Sequence, residues 1–246
     1  MNYKIFSCTN FKYVDIAEYW ADHMQRLGLD YTVYCTDKTS FDHLLERNIK
    51  CDYYDGFSQD NFDFTQFGLI RFKILEQLLE QHDYVIYSDI DAIWIDNPLI
   101  DILGDQYAAH LSTVHHDRAY PSSIREKWGC TICTGWMGFR DVCKCMISDF
   151  INAYHSFKIG NDQQKFNEFL YSIYTKINND IDDNSFTLET NIYNHIILGL
   201  PSDLIHRGNG MCSSKVIHPL TQTDNHKKLK KLKTIISRNK NLWMLK

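Results

Sequence analysis

Several things are missing from this chain of 246 residues. It has no run of about 18 consecutive apolar residues, so no helical membrane span is expected. The opening, MNYKIFSCTN, enters a strand-like run directly and lacks the basic-then-apolar layout of a secretion signal. Positive charge is not in excess: the formal net charge is −5, which argues against a general nucleic-acid binder. No internal repeat, low-complexity tract or clean linker interrupts the chain, so residues 1–246 are expected to form one domain. The expectation is a soluble, intracellular, cytoplasmic protein. A piece cut from an anchored luminal protein would read the same.

What is present is apolar and aromatic. Hydrophobic residues make up 44% of the chain, enough for a sizeable core, and 15 Tyr, 14 Phe and 5 Trp can pack it or line a pocket. The eight cysteines are Cys8, Cys35, Cys51, Cys130, Cys133, Cys143, Cys145 and Cys212. A chain this long does not need staples, and several of them sit in apolar runs, so reduced thiols are expected. Cys130, Cys133, Cys143 and Cys145 raise the alternative of a structural zinc site. The one-residue gap in Cys143-Lys-Cys145 is shorter than zinc ligands usually show.

Strands and helices alternate. YKIFSC (3–8) reads as a strand, residues 11–27 as a helix ended by Gly28, YTVYC (31–35) as a strand, 40–47 as a short helix and IKCDYY as a third strand. Residues 56–66 read as a loop. In QFGLIRFKILEQLLEQHD, Phe67, Ile70, Ile74 and Leu78 draw an apolar stripe, with Arg71 and Lys73 off its centre. YVIYSDI follows as a strand buried on both faces. YAAHLS (107–112) reads as another strand and HHDRAYPSS, with His115, His116, Asp117 and Arg118, as a loop. Helices are expected over 141–156 and 162–174, a polar loop over 176–187 and a last helix over 188–198. DLIHR and KVIHPL read as short strands. This pattern is that of an α/β/α layered domain with a mostly parallel central sheet.

The informative stretch is DYVIYSDIDAIWIDNPL, residues 83–99. Ligands of open α/β sheets bind beyond the carboxyl ends of the strands, where Asp89 and Asp91 stand. Two carboxylates inside the sheet would cost several kcal/mol unless paired or liganding a metal. At its edge, in an extended segment, residues two apart point the same way. Hard oxygen ligands suit Mg²⁺ or Mn²⁺, and those ions suit phosphate oxygens. Asp96, before Asn97-Pro98, reads as a turn former, and Trp94 as packed against the sheet.

YVIYSDIDAIWIDNP resembles the Asp-x-Asp region of nucleotide-sugar glycosyltransferases with the GT-A fold, most of all glycosyltransferase family 77. The likeness continues in order along the chain. GLIRFKILEQLLEQHDYVIYSD is similar to the family's helix, with Lys73 as the matching lysine. CTGWMGFR (133–140) resembles its Asn-Thr-Gly segment, NDQQKFN (161–167) its Asp-Gln motif, and VIHPL (216–220) with Lys227 and Lys228 its closing histidine and basic region. In place of the family's asparagine stands Cys133, which lacks the side-chain amide that the resemblance would place against substrate.

The resemblance implies a GT-A-type nucleotide-diphospho-sugar transferase that is metal-dependent and retaining, with a UDP-sugar donor and a glycan, peptide or small-molecule hydroxyl as acceptor. Asp91, Asp89 and His218 would hold Mn²⁺ or Mg²⁺, and Asp89 would also touch the ribose. Asp162 and Gln163 would border the reacting carbon, Asp162 either as nucleophile or as binder of a sugar hydroxyl. Thr9 would lie near the base or ribose. Thr134-Gly135 would approach the donor closely, and Lys73, Lys227 and Lys228 would face phosphate. A metal-dependent phosphohydrolase or nucleotidyltransferase is the rival enzyme, and a non-catalytic nucleotide-sugar-binding module the rival class. The basic, partly amphipathic segment 222–246 reads as docked on the catalytic domain, with contact to an anionic membrane surface as the second option.

Overall fold

The computed structural model describes residues 1–56, 64–115, 120–157, 160–174, 176–180, 185–190, 192–201, 204–207, 214–219 and 224–243. His116, Asp117, Arg118 and Cys212, and most of the expected loop over 56–66, lie outside them. The first half alternates as the sequence suggests: β1 (Tyr3–Thr9), α1 (Val14–Arg26), β2 (Tyr31–Cys35), α2 (Lys38–Glu46), β3 (Cys51–Tyr53), α3 (Phe64–Leu78) and β4 (Tyr84–Ser88). There follow β5 (Ile93–Trp94), α4 (Leu99–Ile102), β6 (Ala109–Val114), α5 (Ser122–Trp128), β7 (Thr131–Arg140), α6 (Lys144–Ala153) and α7 (Asp162–Ile173). The last elements are β8 (Lys176–Asp180), β9 (Ser185–Thr190), β10 (His195–Leu200), β11 (Ile205–Arg207), β12 (Val216–His218) and α8 (Asn225–Trp243).

Nine strands form one sheet in the order β3-β2-β1-β4-β7-β6-β10-β9-β8. Pairing directions show that β7 and β9 run against the other seven. This is the GT-A-like α/β fold, a central sheet flanked by helices. The period of two in β4 feeds both faces: Val85 and Tyr87 join the core under α3, α6 and α7, while Tyr84 and Ile86 join the core under α1. Leu232, Ile235 and Ile236 of α8 also pack into that second core. Among the described residues no helix is long and apolar enough to cross a membrane.

Two features decide where the site lies. First, β11, β12 and β5 form a small second sheet in which Val216 pairs with Trp94 and Ile217 with Ile93. Continuing that antiparallel register sets His218 beside Ala92, one residue from Asp91. Second, the β6–β7 pairing slips: Leu111 opposes Met137, but Ser112 opposes Cys133. Thr134, Gly135 and Trp136 bulge out of the ladder, which frees backbone groups for other partners.

Residues 176–198 differ from the sequence expectation. In place of a loop and a helix they contain β8, β9 and β10, a meander on the sheet edge. Phe186, Leu188 and Ile197 point into the core, with Thr187 and Glu189 half-buried between them. Short apolar runs fit either period, and pairing of β10 with β6 settles the choice.

Candidate active site

The carboxyl end of β4 opens into a turn. Residues 89–92 are closed by a hydrogen bond from the Ala92 amide to the Asp89 carbonyl, 2.9 Å, so the two aspartates are brought together by a turn and not by an extended segment. The bulge fixes that turn: the Asp89 amide donates to the Gly135 carbonyl at 2.8 Å. Behind it, Ser88 Oγ accepts from the indoles of Trp94 (3.0 Å) and Trp20 (3.4 Å). Trp94 is fully buried and packs near Trp136, and the Asp96 and Asn97 side chains cap the turn that follows.

Asp89, Asp91 and His218 converge. Each offers a ligand atom, and these atoms lie within 4.8 Å of one another. His218 Nε2 stands 3.2 Å from Asp91 Oδ1 and 3.4 Å from Asp89 Oδ2. Cis ligands of an octahedral ion bonded at about 2.1 Å lie about 3.0 Å apart, so two carboxylates and an imidazole at these spacings fit a small divalent cation. Gly135 makes the approach possible: a Cβ there would fall 2.1 Å from His218 Cε1 and 2.7 Å from Asp89 Oδ2.

Charge balances unevenly around this cluster. Asp91 is buried, and Lys228 Nζ of α8 sits 2.6 Å from its Oδ2. Burial pushes the Asp91 carboxyl up, but His218 and Lys228 outweigh it and hold the group well below the usual range. Each oxygen of Asp91 thus has its own neighbour: Oδ1 faces His218 and Oδ2 faces Lys228. Lys227 is exposed in the first turn of the same helix.

A second network adjoins the first. Asp162 opens α7, which is capped by Asn161 and Gln164 in a reciprocal capping box. Its Oδ2 bonds Arg71 and accepts from Thr134 Oγ1 at 3.2 Å. Arg71 is buried and donates to Thr134 O (3.1 Å) and Thr134 Oγ1 (2.6 Å), and its Nη1 lies 3.5 Å from Asp89 Oδ1. Tyr87 Oη, 2.5 Å away, donates to that same Asp89 oxygen. Gly68 lets α3 and α7 close in, since a Cβ there would meet Asp162 Cβ at 2.4 Å.

The structure therefore gathers Asp89, Asp91, His218, Lys228, Thr134, Gly135 and Asp162. Gln163 lies beside Asp162, its amide donating to the Tyr120 carbonyl at 3.3 Å. Thr9 ends β1, the neighbour of β4 at the same sheet edge, and its hydroxyl donates to Asn10 O. Lys73 lies on the other side of α3. It is exposed, while Arg71, two residues or about 200° around α3, turns inward to the site. Arg71 was missed because an arginine flanking an apolar stripe reads as a solvated face. The available signal was its i,i+3 spacing from Gly68. Cys133 was marked as a departure from pattern and as one of four cysteines of a possible zinc site, and its sulfur is 3.5 Å from His218 Nδ1. Cys143 Sγ donates to Ala108 O instead, Cys145 is exposed, and no metal-competent cluster among the described residues includes a cysteine.

The fold first defines a class: it is that of GT-A-like glycosyltransferases. The chain is similar to a glycosyltransferase involved in glycosylation of the major capsid of PBCV-1, with 10% identity, a TM-score of 0.58, and 95% of this chain and 100% of that one covered. It is also similar to galactosyltransferase LgtC in complex with donor and acceptor sugar analogues, at 12% identity and TM-score 0.57, over 94% and 95% of the two chains. A third likeness is to the bifunctional glycosyltransferase WbbM, at 10% identity and TM-score 0.59, over 96% of this chain and 51% of that one. Comparison with curated proteins finds no match. The pattern of the nucleotide-diphospho-sugar transferase family matches residues 28–194, more than half of the sequence, and the chain belongs to that family.

Proposed function

We propose that this protein is a metal-dependent, retaining glycosyltransferase, which moves a sugar from a UDP-sugar to a hydroxyl of a glycan, peptide or small molecule. The observation that carries the reading is the meeting of Asp89, Asp91 and His218 at the carboxyl edge of the sheet. The order of motifs supports kinship with glycosyltransferase family 77. Asp91, His218 and Asp89 would hold Mn²⁺ or Mg²⁺. A divalent ion there supplies positive charge against the negative charge that grows on a departing nucleoside diphosphate.

The chain's own residues do the rest. Lys228 and Lys227, at the start of α8, add charge-assisted hydrogen bonds toward phosphate. Thr9 bounds the nucleoside side. Thr134 and Gly135 present backbone to the donor where no side chain intervenes. Asp162 is held through Oδ2 by Arg71 and Thr134, which leaves Oδ1 to accept from a sugar hydroxyl. A carboxylate stabilised by a buried guanidinium is a poorer nucleophile, and this favours the hydroxyl-binding role over a double displacement. Gln163 borders the same carbon.

A panel of UDP- and GDP-sugars with Mn²⁺ tests this, with products separated. Intact nucleoside diphosphate plus a new glycoside of unchanged anomeric configuration is expected, and chelation should abolish it. Release of free phosphate or of a nucleotidyl product would instead establish the hydrolase or nucleotidyltransferase. Turnover undiminished by a strong chelator would remove the cation from the mechanism.

A further inference from the structure

A ligating imidazole works only if its ring is turned correctly, and such rings are commonly fixed through their second nitrogen by an oxygen acceptor. In this protein the group behind His218 is a thiol. Cys133 is 1% exposed, and its sulfur lies 3.5 Å from His218 Nδ1, while Nε2 of the same ring faces Asp91 and Asp89. The sulfur cannot drift. Cys133 opens the bulge of β7, and its carbonyl accepts from Ser112 Oγ at 2.8 Å. Two residues on, bare Gly135 backs the ring at Cε1. The imidazole is thus lodged between a sulfur and a glycine that belong to one strand segment, Cys133-Thr134-Gly135.

We propose that Cys133 is a positioning residue for the cation site: its sulfur accepts from His218 Nδ1–H and so presents the Nε2 lone pair to the space shared with Asp89 and Asp91. This rests on the cation-binding reading above. It also gives a reason for a thiol where an asparagine would be expected by resemblance: the side chain here faces the histidine. Cys133 takes no part in bond making. Its role is to fix one ring orientation and one tautomer.

The test is Mn²⁺ binding to the purified full chain without any donor, followed by electron paramagnetic resonance of free ion. Wild type should bind, and His218→Ala should not. Cys133→Val keeps bulk and loses the acceptor, and it should weaken Mn²⁺ by about 10- to 100-fold. Cys133→Ser keeps an acceptor at that place and should stay within about threefold of wild type. If Cys133→Val does not fold, Cys133→Ala carries the same expectation. Nitrogen-15 spectra of the histidine rings supply a second readout: the Nδ1–H tautomer of His218 should dominate in wild type and in Cys133→Ser, and become mixed in Cys133→Val. Equal Mn²⁺ affinity in wild type, Cys133→Val and Cys133→Ala overturns the positioning role, whatever their melting temperatures, and leaves the cation site standing. Failure of the wild type to bind Mn²⁺ overturns the cation site and this role together.

Discussion

The main sheet carries a carboxylate–histidine constellation at each end, and the two are built differently. At the amino end of β4, His110 is fully buried, with Nε2 2.7 Å from Asp105 Oδ2 and Nδ1 2.7 Å from Tyr84 Oη. One acid serves one histidine, and Arg140 sits 3.8 Å from that acid while bonding the carbonyls of Asp105 and Tyr107. At the carboxyl end three acids, Asp89, Asp91 and Asp162, share two permanent cations, Arg71 and Lys228. Among the described residues one negative charge is left over beside a histidine that faces two carboxylates. The first arrangement is closed: each ring nitrogen has its partner. The second, among the described residues, holds more acid than permanent base, and a bound cation is one group that would balance it. The contrast shows that acids near a histidine do not by themselves mark a functional site. A surplus of acid over permanent base is what sets the carboxyl-end cluster apart.

The largest break in this comparison is at Asp91. Asp91→Asn keeps shape and removes the surplus charge, so transfer should fall about a thousandfold or more, as expected when a metal's charge stabilisation is lost. Mn²⁺ binding should fall with it in a titration. Arg71→Met comes next. It strands Asp89 and Asp162 without their buried counter-ion, and breaking a buried pair by removing one partner costs about 3–5 kcal/mol. The drop is read in urea unfolding, and transfer should fall as well because Asp162 and Thr134 lose their common anchor.

His23 sharpens the contrast from outside both ends. It is buried on α1 against the Tyr19 ring, and burial pushes its pKa down to about 4 from the ordinary 6.5. The unfolded chain takes up a proton as pH falls through 6.5, while the folded chain does not until about 4. Stability is therefore undiminished above pH 6.5, falls between 6.5 and 4, and levels below that. The loss from this group should reach roughly 3 kcal/mol, and His23→Phe should remove that part of the acid slope in melts across pH. His110→Leu, at the closed end, should cost about 2 kcal/mol for the unpaired Tyr84 hydroxyl and Asp105 carboxylate. Mn²⁺ affinity should not move, because nothing at that end touches the cluster.

Much of this was legible before the structure. β4 announced itself because its unbroken apolar run reads as a central strand, and all five of its residues are buried; the interest of the aspartates at its end followed from the rule that such sheets bind ligands at their carboxyl edge. His218 was found through an ordered set of motifs, and no local pattern would have tied it to residue 91. What joins them is the pairing of β12 with β5, a contact between segments more than a hundred residues apart. The meander at 176–200 was illegible for a related reason: its strands exist through partners across the sheet, while locally their apolar residues fit a helix. The bulge at Thr134–Trp136 left only a threonine-glycine pair as its trace.

The smallest expected effect bears on the hardest choice the sequence posed, between two basic residues on α3. Arg71 and Lys73 stand two apart, and by resemblance the lysine was the one to choose. A helix turns about 100° per residue, so two residues cannot share a face. Gly68, which admits Asp162, lies three positions before Arg71 and on its side of the helix. Lys73 is therefore carried round to solvent, where it is exposed. Lys73→Ala should leave transfer within about twofold and stability within about 0.5 kcal/mol, the range of substitutions away from special features. A tenfold loss of transfer in Lys73→Ala, with stability unchanged, would instead give Lys73 the phosphate-facing role that the resemblance implies.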